Sequence, residues 1–396
     1  MRQLRIAVRR FDPFANALRR QFAEFTRDAA GDDRLELELL ELNDLHARLF
    51  VRGALADGSV DLAFLSTDWL AEAQASGLIQ DLRPYLARAP IADFPQAWSP
   101  SLVRLADFAG GFWGLPYHDG PECLIYRKDL LQEAGLEVPA TWEAFHAAAR
   151  RLHAPDRGQY GTALALFPDG HNGFYDFCIH VWSRGGEPFD ARGRPQLCSP
   201  QAEAALDFLR RLACDEAALA PGARELDSVK AGLLFCAGQV ALMANWFGFA
   251  ALGESSTDSR VRGRVAVAPL PRGRGGRSVS LNVFWVIALA AGSRVQDWAG
   301  SFLRHLATAP MDKITTLEGA IGVRRSTWTD AEVNRLVPFY HELDTLHAHA
   351  RELPPHPRLA DIAHMIDALL ARALDTGEPS RALLAEAQRN IEAIVA

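Results

Sequence analysis

Two short segments place a hydrogen-bonding side chain directly beside a tryptophan. Asp68 precedes Trp69, and Asn245 precedes Trp246. A sugar ring carries hydroxyl groups that both donate and accept hydrogen bonds, and a C–H face that packs on an aromatic ring. A carboxylate or amide beside an indole therefore suits a polyhydroxylated solute. Two alternatives stay open: both tryptophans could belong to the core, and Asp68 is a natural N-cap for a helix that starts at Trp69.

Two further groups extend the set of candidate ligand-binding residues. Asn172, Tyr175 and Asp176 open a predicted helix after a Pro-Asp-Gly turn and offer the same kinds of side chains. Arg9 and Arg10 end the first predicted strand, where a cation can receive a carboxylate or a sulfate, so an acidic sugar is one sub-hypothesis. Solvated arginines at a strand end are the alternative.

Motifs that mark several enzyme classes are absent from the sequence. It contains no G-x-G-x-x-G, no G-x-S-x-G and no H-E-x-x-H motif, since His341-Glu342 is followed by its next histidine only at His347. We therefore predict no enzyme activity, no metal site and no cofactor. A glycosidase that uses Asp68 and Asp119 as paired carboxylates stays an alternative, because the sequence does not fix the distance between them.

Two other groups of residues, a Gly/Arg-rich segment and the cysteines, are predicted to have no catalytic or ligand-binding role. The segment from Pro271 to Arg277 has the composition of a phosphate-binding loop but lacks its Lys and its spacing, so an exposed turn is predicted. No cysteine pair has C-x-x-C spacing, and the odd number leaves at least one thiol unpaired. The five cysteines are Cys123, Cys178, Cys198, Cys214 and Cys236.

The composition is that of a globular protein with room for two domains. The chain has 396 residues, a formal net charge of −7 and 49% hydrophobic residues. Mild acidity argues against nucleic-acid binding. The most apolar run, Val283 to Ala291, has about half the length that a membrane-spanning helix needs and is predicted to be a buried strand. The basic N-terminus lacks the apolar segment of an export signal, which leaves a cytosolic protein or a mature chain with an added Met.

Strands and helices alternate at the start of the chain. Strands are predicted at Leu4 to Val8, Leu35 to Leu39 and Val60 to Ser66, with a helix pattern after each of the first two. This alternation predicts a mostly parallel sheet covered on both faces, with ligands beyond the carboxyl ends of the strands. Two segments that follow strand ends are therefore candidates for ligand binding. They are Arg9 to Asp12, which includes Phe11, and Ser66 to Trp69, which includes Thr67.

Later segments return to the same pattern after a helix-rich stretch. Helices dominate from about residue 120, among them one over Lys128 to Ala134 closed by Gly135 and one that Thr141-Trp142 opens and that runs to His153. Short strands are predicted at Tyr160 to Leu166 and Val240 to Ala244. Two more strands, Arg264 to Leu270 and Val283 to Ala291, precede a helical tail. This order predicts two lobes between which the chain crosses more than once.

Three segments, taken together, resemble the sugar-type extracellular solute-binding proteins of ABC importers, the maltose-binding-protein-like family. They are Asp61 to Ile79; Gly114 to Tyr117 with Leu124 to Leu136 and Pro139 to Trp142; and Val240 to Trp246 before Ala268 to Pro271. The resemblance covers most of the chain in the family's order. It implies a two-lobed α/β fold of the type II periplasmic-binding-protein class, with hinge crossovers and a helical C-terminal tail.

The resemblance also implies where the lobes and the ligand lie. The first lobe would comprise residues 1–113 and about 262–310, and the second about 118–258 and 314–396, with hinge segments near 113–118, 258–263 and 309–314. Solute would bind in the cleft that closes between them. The resemblance implies that the cleft is lined by Asp68, Trp69, Tyr117, His118, Asp119, Asn245 and Trp246. Asn282 and Trp285 are further candidates, although Trp285 could belong to the core.

A carbohydrate is the solute that this resemblance implies, as a mono- or oligosaccharide, an acidic sugar or a polyol. The implied partners are the membrane permease subunits of an ABC importer, with no nucleic acid, and we expect a monomer in the periplasm or outside the cell. A cytosolic ligand-sensing module on the same fold is the alternative.

Overall fold

A computed structural model describes residues 2–28 and 32–395 of the chain. Its strands alternate with helices over the first 70 residues and are then widely spaced along the sequence. In chain order they are β1 (Gln3–Arg9), β2 (Arg34–Leu40), β3 (Leu62–Ser66), β4 (Asp107–Phe108), β5 (Gly111–Phe112), β6 (Leu115–His118), β7 (Glu122–Arg127), β8 (Leu242–Trp246), β9 (Val265–Ala268), β10 (Ser280–Leu281), β11 (Trp285–Leu289) and β12 (Ala350–Arg351).

The α-helices range from single turns to about five turns. They are α1 (Asp12–Thr26), α2 (Leu42–His46), α3 (Ala54–Asp57), α4 (Leu70–Ala75), α5 (Arg83–Arg88), α6 (Pro100–Arg104), α7 (Lys128–Ala134), α8 (Trp142–Leu152), α9 (Asn172–Trp182), α10 (Pro200–Ala213), α11 (Ser228–Cys236), α12 (Phe247–Ser255), α13 (Gln296–Leu306), α14 (Ala309–Leu317), α15 (Arg325–Trp328), α16 (Ala331–Leu336), α17 (Leu343–His347), α18 (Leu359–Asp375) and α19 (Ser380–Val395). A π-helical turn covers Ala47–Val51, and 3₁₀ turns cover Thr67–Trp69, Pro155–Arg157, Ala223–Glu225 and Tyr340–Glu342. No helix in the described ranges is long and apolar enough to cross a membrane.

The chain divides into two units. Unit 1 contains the described residues of Met1–Gly120, Val283–His341 and Pro355–Pro357, and unit 2 contains those of Pro121–Asn282, Glu342–Pro354 and Arg358–Ala396. The later crossings therefore follow residues 282 and 341, and not the predicted positions near 258–263 and 309–314. Pairing explains the first shift, because β9 joins the sheet of unit 2 beside β7. Packing explains the second, because α14 lies against α1 of unit 1.

Unit 1 is built on a five-stranded sheet in the order β2-β1-β3-β11-β6. The strands β2, β1 and β3 are parallel, as the alternation of strands and helices predicted, whereas β11 runs antiparallel to β3 and β6. Every residue of β3 is buried, which is typical of a strand covered on both faces. Helix α1 packs Phe14, Leu18 and Phe22 into the core, and Asp12 is its first residue and not its N-cap.

Unit 2 has a smaller, antiparallel sheet in the order β8-β7-β9. The segment Tyr160 to Leu166 forms isolated bridges to Val240 and Leu219 in place of the predicted strand. Helices α9, α10, α18 and α19 pack together around the core. All five cysteines are unpaired, and Cys123, Cys178 and Cys236 are buried.

Local sequence explains where several helices begin and end. The hydroxyl of Thr141 accepts a hydrogen bond from Ala144 N at 3.1 Å and caps α8, and Ser199 and Asp227 cap α10 and α11 in the same way. Gly135 ends α7 with φ of 68°, a left-handed conformation that glycine adopts at little cost.

Candidate functional site

The candidate residues of unit 1 gather at one edge of its sheet. Strands β1, β2, β3 and β6 all end there, and the antiparallel β11 begins there, so Trp285 lies opposite both Ser66 and His118. Loops beyond such strand ends form ligand sites in α/β proteins. This edge, called the unit 1 edge below, carries Arg9, Phe11, Thr67, Asp68, Trp69, His118, Asp119 and Trp285.

Aromatic rings form a continuous layer along the unit 1 edge. The rings of Trp285 and Trp69 meet at right angles with centroids 5.9 Å apart, and the His118 ring lies 4.9 Å from that of Phe14. Trp285, His118 and Phe11 are half-buried, whereas Trp69 is 3% exposed. Trp69 therefore supports Trp285, and the accessible ring surface belongs to the half-buried side chains.

His118 is held in a single protonation state and tautomer. Its Nδ1 accepts a hydrogen bond from the backbone N–H of Ile321 at 2.8 Å, so the ring proton resides on Nε2. Burial lowers the pKa of His118 to about 4, because the charged form loses its hydration. His118 is therefore a neutral hydrogen-bond donor at neutral pH. The neighbouring Asp119 donates its backbone N–H to Ile321 O at 3.1 Å and is 2% exposed.

Tyr117 does not belong to the unit 1 edge. Its side chain points into the core of unit 1, because successive residues of a strand face opposite sides of the sheet. The hydroxyl donates a hydrogen bond to Gln21 Oε1 at 2.8 Å, and the side chain is 4% exposed. We therefore remove Tyr117 from the candidate ligand contacts.

Arg9, Thr67 and Asp68 also have positions that the sequence did not indicate. The Arg9 guanidinium forms an ion pair with Glu41, whose other carboxyl oxygen pairs with Arg10 at 3.1 Å. The Thr67 hydroxyl accepts a hydrogen bond from Phe284 N at 3.3 Å, which ties the end of β3 to the segment before β11. Asp68 lies inside a 3₁₀ turn and is 7% exposed, so it is not the N-cap of the helix that follows.

Unit 2 has a second group of candidate residues, at the start of β7 and the end of β8. In the antiparallel pairing Glu122 lies opposite Trp246. The Tyr175 ring, on α9, meets the Trp246 ring at right angles at 5.9 Å. Trp246 is half-buried and Tyr175 fully buried, so Tyr175 supports an indole that retains open surface. We call this group the unit 2 edge.

The three candidate asparagines of unit 2 differ in what their amides contact. Asn245 donates from Nδ2 to Ser228 O at 3.1 Å, and its Oδ1 accepts from Trp246 N at 2.7 Å, so it fixes the turn that carries Trp246. Asn172 is the first residue of α9 and is buried. Asn282 is 1% exposed, and neither of its amide atoms has a hydrogen-bond partner in the described structure. A buried amide of this kind has its full bonding capacity left for a ligand.

Four residues near these edges escaped the sequence analysis. His46 and Phe50 continue the aromatic layer, with the His46 ring 5.1 Å from that of Trp69 and 4.5 Å from that of Phe50. Glu41 forms an ion pair with Arg9. Glu122 opens the apolar strand β7, and a carboxylate at the start of a buried strand is the one sequence signal that could have identified it. Among the residues described, no group of three or more His, Cys, Asp or Glu side chains could hold a metal ion.

Comparison with known proteins agrees with this architecture. Residues 12–313 match the family described as bacterial extracellular solute-binding protein. A mannitol-binding protein of Pseudomonas aeruginosa is 28% identical over 352 residues, which cover 84% of this chain and 76% of that protein. An ABC transporter solute-binding protein of Agrobacterium radiobacter, solved with ribitol, superposes with a TM-score of 0.90 at 25% identity, covering 99% of this chain and 98% of that one. Maltose-bound MalE3 of T. maritima also gives a TM-score of 0.90, at 22% identity with both chains fully covered.

The match spans more than half of the sequence, and the chain belongs to the bacterial extracellular solute-binding proteins. The fold that the sequence predicted, a two-lobed α/β fold of the type II periplasmic-binding-protein class, is confirmed. The resemblance drawn from the three sequence segments is confirmed with it.

Proposed function

We propose that this protein captures an uncharged carbohydrate for an ABC importer, and that a sugar alcohol is its preferred solute. The observation that carries the proposal is the half-buried indole at each edge, Trp285 in unit 1 and Trp246 in unit 2, beside carboxyl and amide groups. Such surroundings match both the C–H surface and the hydroxyl groups of a carbohydrate. Mannitol and ribitol, the solutes of two relatives, support the choice of a sugar alcohol.

The solute contacts follow from the geometry of each edge. At the unit 1 edge, Trp285 offers ring surface, His118 offers a neutral Nε2–H donor and Asp119 lies next to it. At the unit 2 edge Trp246 offers ring surface, and Asn282, two residues after the Ser280 that bonds Glu122 O, offers both a donor and an acceptor. An acidic sugar would have to compete with Glu41 for the Arg9 guanidinium, so we propose a neutral solute. The protein performs no chemistry on the solute in this proposal, and a ligand that contacts one conformation better than another shifts the population toward it.

A permease and a location outside the cytoplasm complete the proposal. The chain would deliver its solute to the membrane subunits of an ABC importer, in the periplasm or on the outer surface of the cell, as the family's description as extracellular suggests. This follows from membership of the family and not from any surface of the described structure.

A thermal-shift screen tests the proposed function. The purified chain is heated with mannitol, ribitol, other alditols, mono- and oligosaccharides, amino acids and polyamines. A ligand at about 100 times its dissociation constant stabilises the folded state by about 2.7 kcal/mol, so we expect a clear rise in Tm with an alditol or a neutral sugar. The solute should be recovered unchanged. A shift with amino acids or polyamines alone would contradict the proposal, and a consumed solute would point to an enzyme.

A further inference from the structure

Two acidic side chains of the unit 2 edge lie against each other. Glu122 opens β7 and is 1% exposed, whereas Asp176, on α9, is only partly buried. Their carboxyl groups are within hydrogen-bonding range of each other. No N–H group of the described residues donates to the Glu122 oxygens. Asp176 is thus the outer and Glu122 the inner member of a carboxyl pair.

The pair is placed where a solute at the unit 2 edge would touch it. Glu122 lies opposite Trp246 in the β7–β8 register, and Asp176 follows Tyr175, whose ring meets that of Trp246. The indole, the phenol and the two carboxyl groups therefore form one patch, in which Trp246 and Asp176 retain open surface and Tyr175 and Glu122 are buried. Within this patch the partly exposed Asp176 is the acid that an approaching solute meets first.

The surroundings of the pair contain no compensating positive charge. The elements packed around Glu122 contribute the Asp176 carboxyl from α9, the Cys123 thiol from its own strand, Trp246 from β8 and the Ser280 hydroxyl from β10. The Ser280 hydroxyl donates to the backbone carbonyl of Glu122 and not to its side chain. No Lys, Arg or His of the described residues interacts with either carboxyl group.

Burial, and for Glu122 the adjacent carboxylate as well, raises the pKa of both members of the pair. The pKa of Asp176 is raised to about 7 and that of Glu122 well above its ordinary value, so the pair gives up its first proton near neutral pH and keeps the second above it, because two adjacent buried charges repel each other. A pair with one proton offers one O–H donor and several acceptor oxygens. That combination matches a solute hydroxyl group, which also donates and accepts, whereas a carboxylate on the solute would meet a negative charge with no cation nearby.

We propose that Glu122 and Asp176 contact the solute and select uncharged carbohydrates against the corresponding sugar acids. This inference rests on the proposed function and adds its selectivity. The pair accounts for discrimination that the aromatic contacts do not provide, because an alditol and its aldonic acid present nearly the same C–H surface. Specificity of this kind is a difference between two affinities, and a repulsive element is one way to obtain it.

Calorimetric titration of two matched pairs of solutes tests the inference. The probes are D-mannitol with D-mannonate and ribitol with D-ribonate, at about pH 8. We expect the wild type to bind the tighter-binding alditol at least about 100-fold more tightly than the corresponding acid. In Asp176→Asn the ratio of the dissociation constants of acid and alditol should fall below about 10. The control is Asp129→Asn, which removes one carboxylate beyond the opposite end of β7, where it pairs with Arg127, and should leave the ratio unchanged.

The wild type alone provides a second test that does not depend on the folding of a variant. Lowering the pH from about 8 to about 5 passes through the pKa of Asp176, about 7, and protonates both members of the pair, so discrimination against the acid should decline while alditol binding persists. Equal binding of alditol and acid by the wild type at about pH 8, or equal ratios in both variants, would overturn the inference and leave the proposed function intact. Failure of the chain to bind any of the neutral solutes in the thermal screen would overturn the proposed function and this inference with it.

Discussion

At the scale of single residues, buried hydrogen bonds decide which candidate side chains remain available to a solute. Both ends of the Asn245 amide and the hydroxyl of Tyr117 are engaged within the protein, whereas both ends of the Asn282 amide are not. A buried polar group without a partner costs about 1–3 kcal/mol, so a ligand that bonds Asn282 recovers that loss. Asn282 therefore has a stronger case as a ligand contact than Asn245.

The protonation of His118 gives a prediction that needs no knowledge of the solute. An ordinary histidine titrates near 6.5, but burial lowers the pKa of His118 to about 4. At a pH between these two pKa values, the His118 ring is protonated in the unfolded chain and neutral in the folded chain. The contribution of His118 to stability is therefore complete above about pH 6.5 and declines as the pH falls toward 4.

Two measurements check the behaviour of His118. In NMR spectra of the wild type, the His118 ring signals should stay constant from about pH 8 to about pH 5.5, and the ring should show the Nε2–H tautomer. His118→Gln should retain more of its Tm than the wild type when the pH is lowered through the same range. A His118 titration midpoint between about 6 and 7 would contradict the hydrogen bonding and burial described here.

Residue types near the site could be predicted from the sequence, but their hydrogen bonds could not. The adjacency of carboxylate or amide and indole drew attention to Trp246, which keeps open surface, yet the amide of Asn245 beside it bonds the backbone of the turn. Glu122 was missed because its role depends on Asp176, which lies 54 positions later. Contacts between residues so distant in sequence depend on tertiary packing, which no local pattern encodes.

At the scale of elements, the loop that follows α14 positions part of the unit 1 edge. Ile321 bonds His118, and the next residues of the loop are held by Asp312, which accepts from Val323 N at 2.8 Å and Arg324 N at 3.1 Å. Gly322 lies within this arrangement. A Cβ at that position would approach Asp312 Oδ2 and Thr316 Oγ1 to 2.6 Å, so only glycine fits without displacement.

We therefore expect Gly322→Ala to reduce both stability and solute affinity. Overpacking at a site of this kind costs about 1–3 kcal/mol, and the displaced loop would move His118. Urea denaturation and calorimetry measure the two effects. The control Gly377→Ala, at a position with no atom within 4 Å of the new Cβ, should leave the solute affinity unchanged. Wild-type affinity in Gly322→Ala would show that this loop does not position the site.

The start of α9 provides a pH-dependent prediction. Asp367, on α18, accepts a hydrogen bond from Gly170 N at 2.8 Å just before α9 begins. Burial, with a contribution from the charge of Asp169, raises the pKa of Asp367 to about 7 from its ordinary value of 3.8. The folded state holds this proton between those values and the unfolded state does not, so the stabilising contribution is full below about pH 4 and lost as the pH rises through 7.

Melting curves of Asp367→Asn and the wild type at about pH 5 and about pH 8 check that the contribution of Asp367 to stability falls as the pH rises. We expect the loss of Tm between the two conditions to be smaller in Asp367→Asn, because the amide keeps an acceptor for Gly170 and has no proton to lose. Asp190→Asn, at a half-buried position of unit 2, should show the wild-type difference. Hydrogen bonds from Arg194 hold the pKa of the Asp190 carboxyl below its usual range, so that group does not titrate between about pH 5 and about pH 8. An equal or larger loss in Asp367→Asn would contradict the assignment.

Elements with strong local signals were predicted within a residue or two. The bounds of α7 and its closing Gly135 agree with the prediction, as do β1 and the N-cap Thr141. The segment from Tyr160 to Leu166 was predicted to be a strand, but it contacts neighbours only through single bridges. A strand requires a partner that runs alongside it, and partners are set by topology.

At the scale of the whole molecule, the positions at which the chain passes from one unit to the other depend on which distant strands pair. A strand-rich start and return predicted two lobes, and the structure contains two units. The position of each crossing could not be predicted, because β9 has the same apolar character as β11 but pairs with β7 of unit 2, whereas β11 pairs with β3 of unit 1. Sequence patterns identify strands without identifying their neighbours.

The central claim is that the half-buried indoles of Trp246 and Trp285 each contribute to the binding of a neutral carbohydrate. Calorimetric titration of the wild type, Trp246→Ala, Trp285→Ala and the control Trp113→Ala with the strongest neutral ligand of the screen tests it, starting with mannitol. Trp113 is half-buried and lies before the opposite end of β6. We predict about one solute per chain, at least about tenfold weaker binding in Trp246→Ala and in Trp285→Ala, and wild-type binding in Trp113→Ala. Wild-type affinity in both Trp246→Ala and Trp285→Ala would contradict the account.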